Sequence, residues 1–399
     1  MNEKTVVLNS NAITGVNFFA SKNIVRILLL LFSLQIPSLP PIFKYVHVDM
    51  LWFVPFYMIV IGIFYHCLFL KSSQQSQIQK ILNSHFTMFF LFTYLLLITL
   101  ILYRHELALQ AIGQGTDSGP CAIVSGLRLL HGKFPYLHLD YLRNPISAGP
   151  GWVMLMMPFS CTGLYGLLIP TLVIASTIVI KKITRSNLGA NIYLLCLLSS
   201  PGFMNAMVVG NDYVAIGIVY GLVAIALFYY YRKNWLYDLC FMIGVGMLAT
   251  ARLNFWYLAP LFGFFIWGRN KKDGVYFALA GLLVTILLHL GFYLWNPQHY
   301  APLHVIKDDA TPVFGGHAMI ILLCVSVISG IIAFLTLKNT LKSWLFLLWI
   351  CLTAPLFVVG IFALIQTHWD LQGNGFSYLI ITAPILTMWL GIEYRRLTS

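Results

Sequence analysis

Residues 113–158 read GQGTDSGPCAIVSGLRLLHGKFPYLHLDYLRNPISAGPGWVMLMMP, the longest interval of this 399-residue chain that cannot lie in hydrocarbon. Long apolar runs lie on both sides of it. The interval holds a large share of the chain's few ionisable groups, namely Asp117, Arg128, His131, Lys133, His138, Asp140 and Arg143. The pattern predicts a polar loop set between membrane helices.

The composition excludes a soluble protein. Hydrophobic residues make up 59% of the chain and charged residues 9%, whereas soluble domains carry roughly 25% charge. Since one crossing of the membrane takes about 20 residues, the chain has room for about ten to twelve spans. We predict an all-α, polytopic transmembrane bundle forming a single domain, 1–399, with a large loop at 104–160. The twelve apolar runs fall near 24–43, 51–70, 82–103, 161–180, 189–204, 211–231, 236–250, 254–268, 274–295, 317–337, 343–366 and 374–392.

The charge distribution predicts the orientation. If the N-terminus is cytoplasmic, the loops alternate so that inner segments hold 17 of the 24 Lys and Arg residues. Cytoplasmic loops of membrane proteins are enriched in these residues. We therefore expect a multi-pass protein of the cell (inner) membrane, with both termini in the cytoplasm and the 104–160 loop on the extracytoplasmic side. The net charge of +12 then reflects orientation, and we expect no nucleic-acid partner.

The sequence predicts no metal or cofactor. The seven cysteines show no CxxC or Cys/His metal spacing, and most fall inside apolar runs. Cys121 and Cys161 flank the central loop, which leaves a disulfide open. Asp308 and Asp309, with histidines nearby, are conceivable metal ligands, but the sequence favours a solvated loop there.

The central loop carries helix signals. Pro120 near the start and Gly132 just past the end predict a short helix between them. Its polar and apolar positions lie on different sides, which favours a helix along the membrane interface. Residues 149–158 predict a second short helix that dips into the membrane.

Asp117 precedes the first of these helices and has two interpretations. One is a helix N-terminal anion, stabilised by the helix dipole and by free N–H groups. The other is a general base for a hydroxyl, in a glycine-rich setting that allows close approach of a ligand. Further along, aromatic residues interleave with basic ones, which suits sugar stacking and phosphate pairing or, alternatively, an ordinary interfacial belt. The candidate binding residues here are Arg128, His131, Lys133, Tyr136, His138, Asp140 and Arg143.

The loop resembles the first external loop of GT-C glycosyltransferases, which use polyprenyl-phosphate sugars. The matching residues are Asp117, the turn 129–136 (LLHGKFPY) and Asn144-Pro145. The resemblance implies a GT-C fold, an outward-facing active site and Asp117 as catalytic base. No Asp-x-Asp signature adjoins Asp117, so we expect a metal-independent transfer.

Two later segments resemble further parts of such enzymes. Asn211 and Asp212 begin a span on the outer side, and Arg252 lies between two short apolar runs. A charge in such a place is costly and usually functional, so Arg252 is a candidate partner for the donor phosphate, with an interfacial arginine as the alternative.

The sequence thus favours an inverting glycosyltransferase that moves a sugar from a polyprenyl-phosphate donor to a lipid-linked or cell-envelope glycan acceptor. Its partners would be that donor, the glycan or glycolipid acceptor and membrane lipid. One alternative is an O-antigen-type glycan polymerase or ligase that depends on Arg143 and His138. The other is a polytopic transporter, although no internal repeat is visible and the charges gather at one face.

Overall fold

The computed structural model describes residues 23–46, 50–73, 77–112, 116–136, 146–232, 234–302, 318–366 and 374–394, and this part of the chain is helical with no β-strand. The predicted site residues His138, Asp140 and Arg143 lie outside the described residues. In chain order, the helices are α1 (Asn23–Lys44), α2 (Met50–Ser73), α3 (Gln77–Leu82), α4 (His85–Ala111), α5 (Ser118–Leu130), α6 (Pro150–Ser160), α7 (Leu168–Thr184), α8 (Asn187–Leu198), α9 (Pro201–Val208), α10 (Tyr213–Tyr230), α11 (Trp235–Ala249), α12 (Leu258–Trp267), α13 (Lys271–Trp295), α14 (Ala318–Thr336), α15 (Leu341–Gln366) and α16 (Ala383–Glu393).

Eight helices in the described part of the chain are long and apolar enough to cross a membrane, which supports a multi-pass membrane protein. The bent pair α8 and α9 would make a ninth span. Within the described residues this is fewer than the predicted ten to twelve spans, mainly because the runs 236–250 and 254–268 form short helices. At 1.5 Å per residue, the 15 residues of α11 reach about 22 Å, less than the hydrocarbon thickness of about 30 Å.

The bend between α8 and α9 measures 78° and follows from the sequence Ser199-Ser200-Pro201. Proline disfavours a helical conformation in the residue before it, and it suits the first position of a new helix. The Ser200 hydroxyl accepts a hydrogen bond from the N–H of Phe203 at 3.1 Å and so caps α9. Buried polar groups of α1 and α2 reach the same break, because Tyr65 contacts Ser199 at 2.9 Å and Gln35 donates to Tyr65 at 2.7 Å. A break inside the bundle is tolerated when neighbouring helices satisfy its polar groups in this way.

The central helices are α10, α15 and α16, and α2, α4 and α13 lie at the periphery. More than half of the best membrane-spanning window is buried in α10, in α15 and in the span Gly375–Glu393, which ends with α16. In α2, α4 and α13 the buried share is 22% or less. Glycines let the central helices approach closely: a Cβ at Gly217 would lie 1.7 Å from the carbonyl oxygen of Ile381. Since lipid tails are as apolar as the helices, close backbone packing of this kind holds membrane helices together.

Helix ends meet at two opposite faces of the bundle. At one face, Arg26 pairs with Glu393 at 3.1 Å and Arg232 with Asp273 at 2.5 Å, and Arg269 donates to Asn339 at 2.7 Å. These helix ends belong to segments that the sequence predicts to be cytoplasmic, so we call this side the basic face. The chain segments near 116–136, 146–152, 209–213 and 250–257 contact one another at the other side, which we call the loop face. The assignment of the basic face to the cytoplasm stays a prediction.

Candidate functional site on the loop face

The start of α6 is fixed against the end of α11 by two glycines. A Cβ at Gly149 would lie 1.7 Å from the carbonyl oxygen of Thr250, and one at Gly151 would lie 2.6 Å from that of Met247. Because no Cβ intervenes, the backbone N–H of Gly151 can donate to the Thr250 hydroxyl, at 2.9 Å. The two glycines of Gly-Pro-Gly at 149–151 are therefore needed for this close backbone approach. The approach in turn positions the side chain of Trp152, the next residue of α6.

Trp152, Asp212 and Arg252 form a buried polar triad. The indole N–H of Trp152 donates to Asp212 Oδ2 at 2.6 Å, and Arg252 Nη2 donates to Asp212 Oδ1 at 2.7 Å. The guanidinium of Arg252 also lies over the ring of Tyr213, 5.1 Å from its centroid. Both oxygens of the carboxylate are thus occupied by donors, as a buried charge requires.

The segment 250–257, which carries Arg252, joins α11 to α12 and is not α-helical. Its own carbonyl at Ala251 accepts a hydrogen bond from Arg252 Nη1 at 3.0 Å. Burial opposes the charge of Arg252, but the Asp212 carboxylate and nearby tyrosines outweigh burial and hold its pKa above the ordinary value. Arg252 is therefore charged at neutral pH.

Asp212 follows a turn that Gly210 makes possible with a φ of +70°, a conformation that residues with a side chain rarely adopt. Asn211 stabilises the same turn, since its side-chain oxygen accepts the N–H of Tyr213 at 2.9 Å. Asp212 occupies the N-cap position of α10 without capping it. Its carboxylate instead points at Trp152 and Arg252, so the turn presents a charge to the neighbouring segments.

Asp117 lies beside this turn. It is the N-cap residue of α5, half-buried, and its side chain makes no capping hydrogen bond. The residues around it contact the 209–210 turn: the hydroxyl of Thr116 donates to the carbonyl of Val209 at 3.4 Å, and the Cα of Gly119 lies 3.5 Å from a Cβ built on Gly210. The structure thus brings the segment that carries Asp117 against the turn that leads to Asn211 and Asp212.

Glu106 holds the segment before Asp117 in place. Its Oε1 accepts the backbone N–H of Thr116 at 2.7 Å, and Gln110 donates to the carbonyl of Thr116 at 3.1 Å. Glu106 is buried although it is charged. The sequence prediction places Glu106 within the 104–160 loop, whereas the structure has it in the last turns of α4, which ends at Ala111.

The candidate binding residues in the last turn of α5 and just after it differ in exposure and contacts. Arg128 donates from Nε to the carbonyl of Phe134 at 2.8 Å and so closes the HGKFPY turn. His131 and Lys133 are exposed, although the ring of His131 contacts the carbonyl of Leu127 at 2.7 Å. Tyr136 is buried and donates to the carbonyl of Ala148 at 2.8 Å. Of this group, His131 and Lys133 are the ones accessible to a substrate.

Buried polar atoms without a partner mark the interior of the site. Among the described residues, Tyr165 Oη and Arg252 Nε make no hydrogen bond. The Tyr165 ring lies 3.3 Å from a Cβ built on Gly210, which places it beside the turn that leads to Asp212. Such groups are rare in folded proteins and call for a ligand or water. Tyr165 and Trp152 were both missed from the sequence, where each looked like an ordinary membrane aromatic residue.

An apolar groove begins next to the Arg252 segment. A cavity of about 230 Å³ is lined by Asn254, Trp256 and residues of α14, and it shares Trp256, Leu323 and Ser326 with a second cavity of about 350 Å³ that follows α12 as far as Trp267. The shared residues make the two cavities one groove between α12 and α14. It leads from a polar segment into the apolar part of the bundle.

No metal site was found: the described residues contain no group of three or more His, Cys, Asp or Glu side chains placed to hold a metal ion. The disulfide between Cys121 and Cys161 that the sequence left open is not formed. No protein-family model, no curated protein and no solved structure matches this chain.

Proposed function

We propose that the protein is an integral-membrane glycosyltransferase of the GT-C type that takes a sugar from a polyprenyl-phosphate donor on the extracytoplasmic side. The observation that carries the proposal is the setting of Asp117. Its carboxylate makes no capping hydrogen bond to α5, the backbone just before it is held by Glu106 through Thr116, and its segment contacts the turn that leads to the pair of Asp212 and Arg252. A carboxylate fixed in this way suits a general base.

In the proposed reaction, Asp117 takes the proton of an acceptor hydroxyl while that oxygen attacks the anomeric carbon of the donor sugar. The bond between this carbon and the phosphate oxygen breaks, and polyprenyl phosphate leaves with the bonding electron pair. The sugar is transferred with inversion at the anomeric carbon. The phosphate already leaves readily, so basic groups need only stabilise its developing charge.

Basic groups elsewhere on the loop face supply candidates for that task. Lys133 and His131 are exposed at the end of α5, and Arg252 has a buried Nε without a partner among the described residues. The apolar groove that starts at Asn254 and Trp256 is suited to a long hydrocarbon chain. These features together favour a donor with a charged head and an apolar tail.

The test is an assay of the purified full-length chain in lipid with a panel of radiolabelled polyprenyl-phosphate sugars. We expect Asp117→Asn to lower the transfer rate by at least about 100-fold, the size of a general-base contribution, and Asp117→Glu to retain part of it. Asp49→Asn, which changes another carboxylate predicted to be extracytoplasmic, should transfer at the wild-type rate.

Wild-type rates in Asp117→Asn would reject the assignment of the base. Loss of transfer in Arg143→Ala or His138→Ala with diphosphate-linked donors, and no effect of Asp117→Asn, would favour the polymerase or ligase.

A further inference from the structure

A cavity of about 240 Å³ lies on the basic face, remote in the chain from the Asp117 segment. Its walls come from the start of α11, the start of α13 and the turn after α10. The side chains that matter for its chemistry are Tyr231, Arg232, Trp235, Asp238, Asp273 and Tyr276. The cavity therefore combines aromatic rings, carboxylates and one guanidinium.

One carboxylate oxygen in the cavity, Asp238 Oδ2, accepts no hydrogen bond from the described residues. Arg232 binds Asp273 with two donors, Nε at 2.8 Å and Nη2 at 2.5 Å. Asp238 is only 7% exposed, and its Oδ1 accepts the backbone N–H of Arg232 at 2.8 Å. No donor from the described part of the chain reaches Asp238 Oδ2. The cavity lining holds two carboxylates and one guanidinium, and because Arg232 pairs with Asp273, Asp238 Oδ2 is the acceptor left for a cation.

The aromatic residues surround the same space and are open to ligands. Trp235 is 74% exposed and Tyr276 is 66% exposed. Indole and phenol rings attract an ammonium group through their electron-rich faces. Together with Asp238 Oδ2, they would bind a cation by ring faces on one side and a carboxylate on the other.

The position of the cavity limits the source of that cation. Next to it, Leu239 on α11 and Leu279 and Leu283 on α13 are exposed apolar residues of a membrane bundle, so they face lipid. The cavity thus lies where the apolar surface ends and the charged helix ends begin. Trp and Tyr are enriched at this level of a membrane, where headgroups lie.

A neighbouring group matches the rest of a phospholipid headgroup. The side chain of Arg232 is 62% exposed, and its Nη1 has no partner in the part of the chain that the structure describes. A guanidinium with a free edge binds a phosphate group well. The cavity thus offers an acceptor for an ammonium group and, beside it, a donor for a phosphate.

We propose that this cavity binds the headgroup of an aminophospholipid, with the primary ammonium on Asp238 Oδ2 and the aromatic rings, and the phosphate on Arg232. The carboxylate selects a primary ammonium over a quaternary one, because only the former has N–H groups to donate. This site is separate from the proposed glycosyltransferase function and does not depend on it.

The test is native mass spectrometry of the detergent-purified full-length chain with phosphatidylethanolamine, phosphatidylcholine and phosphatidylglycerol of the same acyl chains. We expect phosphatidylethanolamine to bind at least about tenfold more tightly than phosphatidylglycerol. Asp238→Asn and Trp235→Leu should each reduce that preference by about fivefold to tenfold. The matched control is Tyr237→Leu, which removes an exposed aromatic residue of α11 that does not line the cavity.

Circular dichroism and size-exclusion chromatography confirm that each variant is folded, and the exposed position of Trp235 makes its replacement the safer of the two. Unchanged binding in both Asp238→Asn and Trp235→Leu would overturn the proposal, as would a preference for phosphatidylglycerol. Binding of glycerophosphoethanolamine as tightly as the intact lipid would overturn the lipid as the source of the headgroup.

Discussion

Removal of one partner from the pair of Asp212 and Arg252 should destabilise the protein strongly. The two side chains are 2.7 Å apart, with 8% of the Asp212 side chain and 17% of the Arg252 side chain exposed. At an effective dielectric constant of about 20, two charges about 4 Å apart attract each other by ~4 kcal/mol. Breaking a buried pair costs about 3–5 kcal/mol, because the remaining charge is left without compensation. We therefore expect Asp212→Leu to lower the free energy of unfolding by about 3–5 kcal/mol.

The double variant Asp212→Leu with Arg252→Met separates the pair from its surroundings. It removes both charges, and apolar replacements of a buried pair are often neutral or stabilising. The double variant should accordingly recover most of the stability lost in Asp212→Leu. The measurement is unfolding in mixed detergent micelles, followed by circular dichroism. A single variant as stable as the wild type, or a double variant no more stable than the single one, would refute this account.

Transfer activity of the same variants separates a structural role from a binding role. If Arg252 only compensates Asp212, the double variant regains transfer along with stability. If the guanidinium contacts the donor phosphate, the double variant is stable and stays inactive. The proposed function predicts the second result.

Three other predictions concern the site and its orientation. Glu106→Gln should lower kcat about tenfold with a smaller effect on stability, because the acceptor that fixes the segment before the base is weakened; steady-state kinetics and thermal unfolding would show both. Gly149→Ala should lower the free energy of unfolding by about 1–3 kcal/mol, since its Cβ would lie 1.7 Å from a backbone oxygen. The control is Gly244→Ala, whose Cβ would meet nothing within 4 Å and which should have the melting temperature of the wild type. In intact cells, and in a variant whose seven cysteines are replaced by serine, His131→Cys should react with a membrane-impermeant maleimide and Lys338→Cys only after permeabilisation; the reverse pattern would place the site in the cytoplasm.

The helical, membrane-spanning nature of the chain could be predicted because it depends on local composition. Runs of about 20 apolar residues have few alternatives to a membrane helix. The break at Ser200-Pro201 is also local, yet the sequence interpretation placed one continuous run there, because composition does not register a 78° bend. The runs on either side of Arg252 are short in the sequence as well, but both are apolar, so each is predicted as a span.

The site could be predicted only in part, because its contacts join distant segments. Asp212 and Arg252 each stood out as a charge next to an apolar run, but nothing in their spacing indicates that they bind each other. The third member of the triad, Trp152, depends on the approach of Gly149 and Gly151 to the end of α11. That approach is a property of packing, and a single sequence does not encode it in any local pattern.

The pairing also changes what Arg252 can contribute to a donor phosphate. Asp212 compensates the charge of Arg252, so a phosphate group meets a nearly neutral pair. The pair attracts the phosphate over long distances less strongly than an unpaired arginine would. What remains is geometry: Nη1 and Nη2 each donate to the protein, and Nε is left buried without a described partner. A phosphate oxygen would therefore be positioned by this guanidinium more than attracted by it. Attraction would fall to the exposed Lys133, so Lys133→Gln should raise KM for the donor, whereas loss of Arg252 should lower kcat.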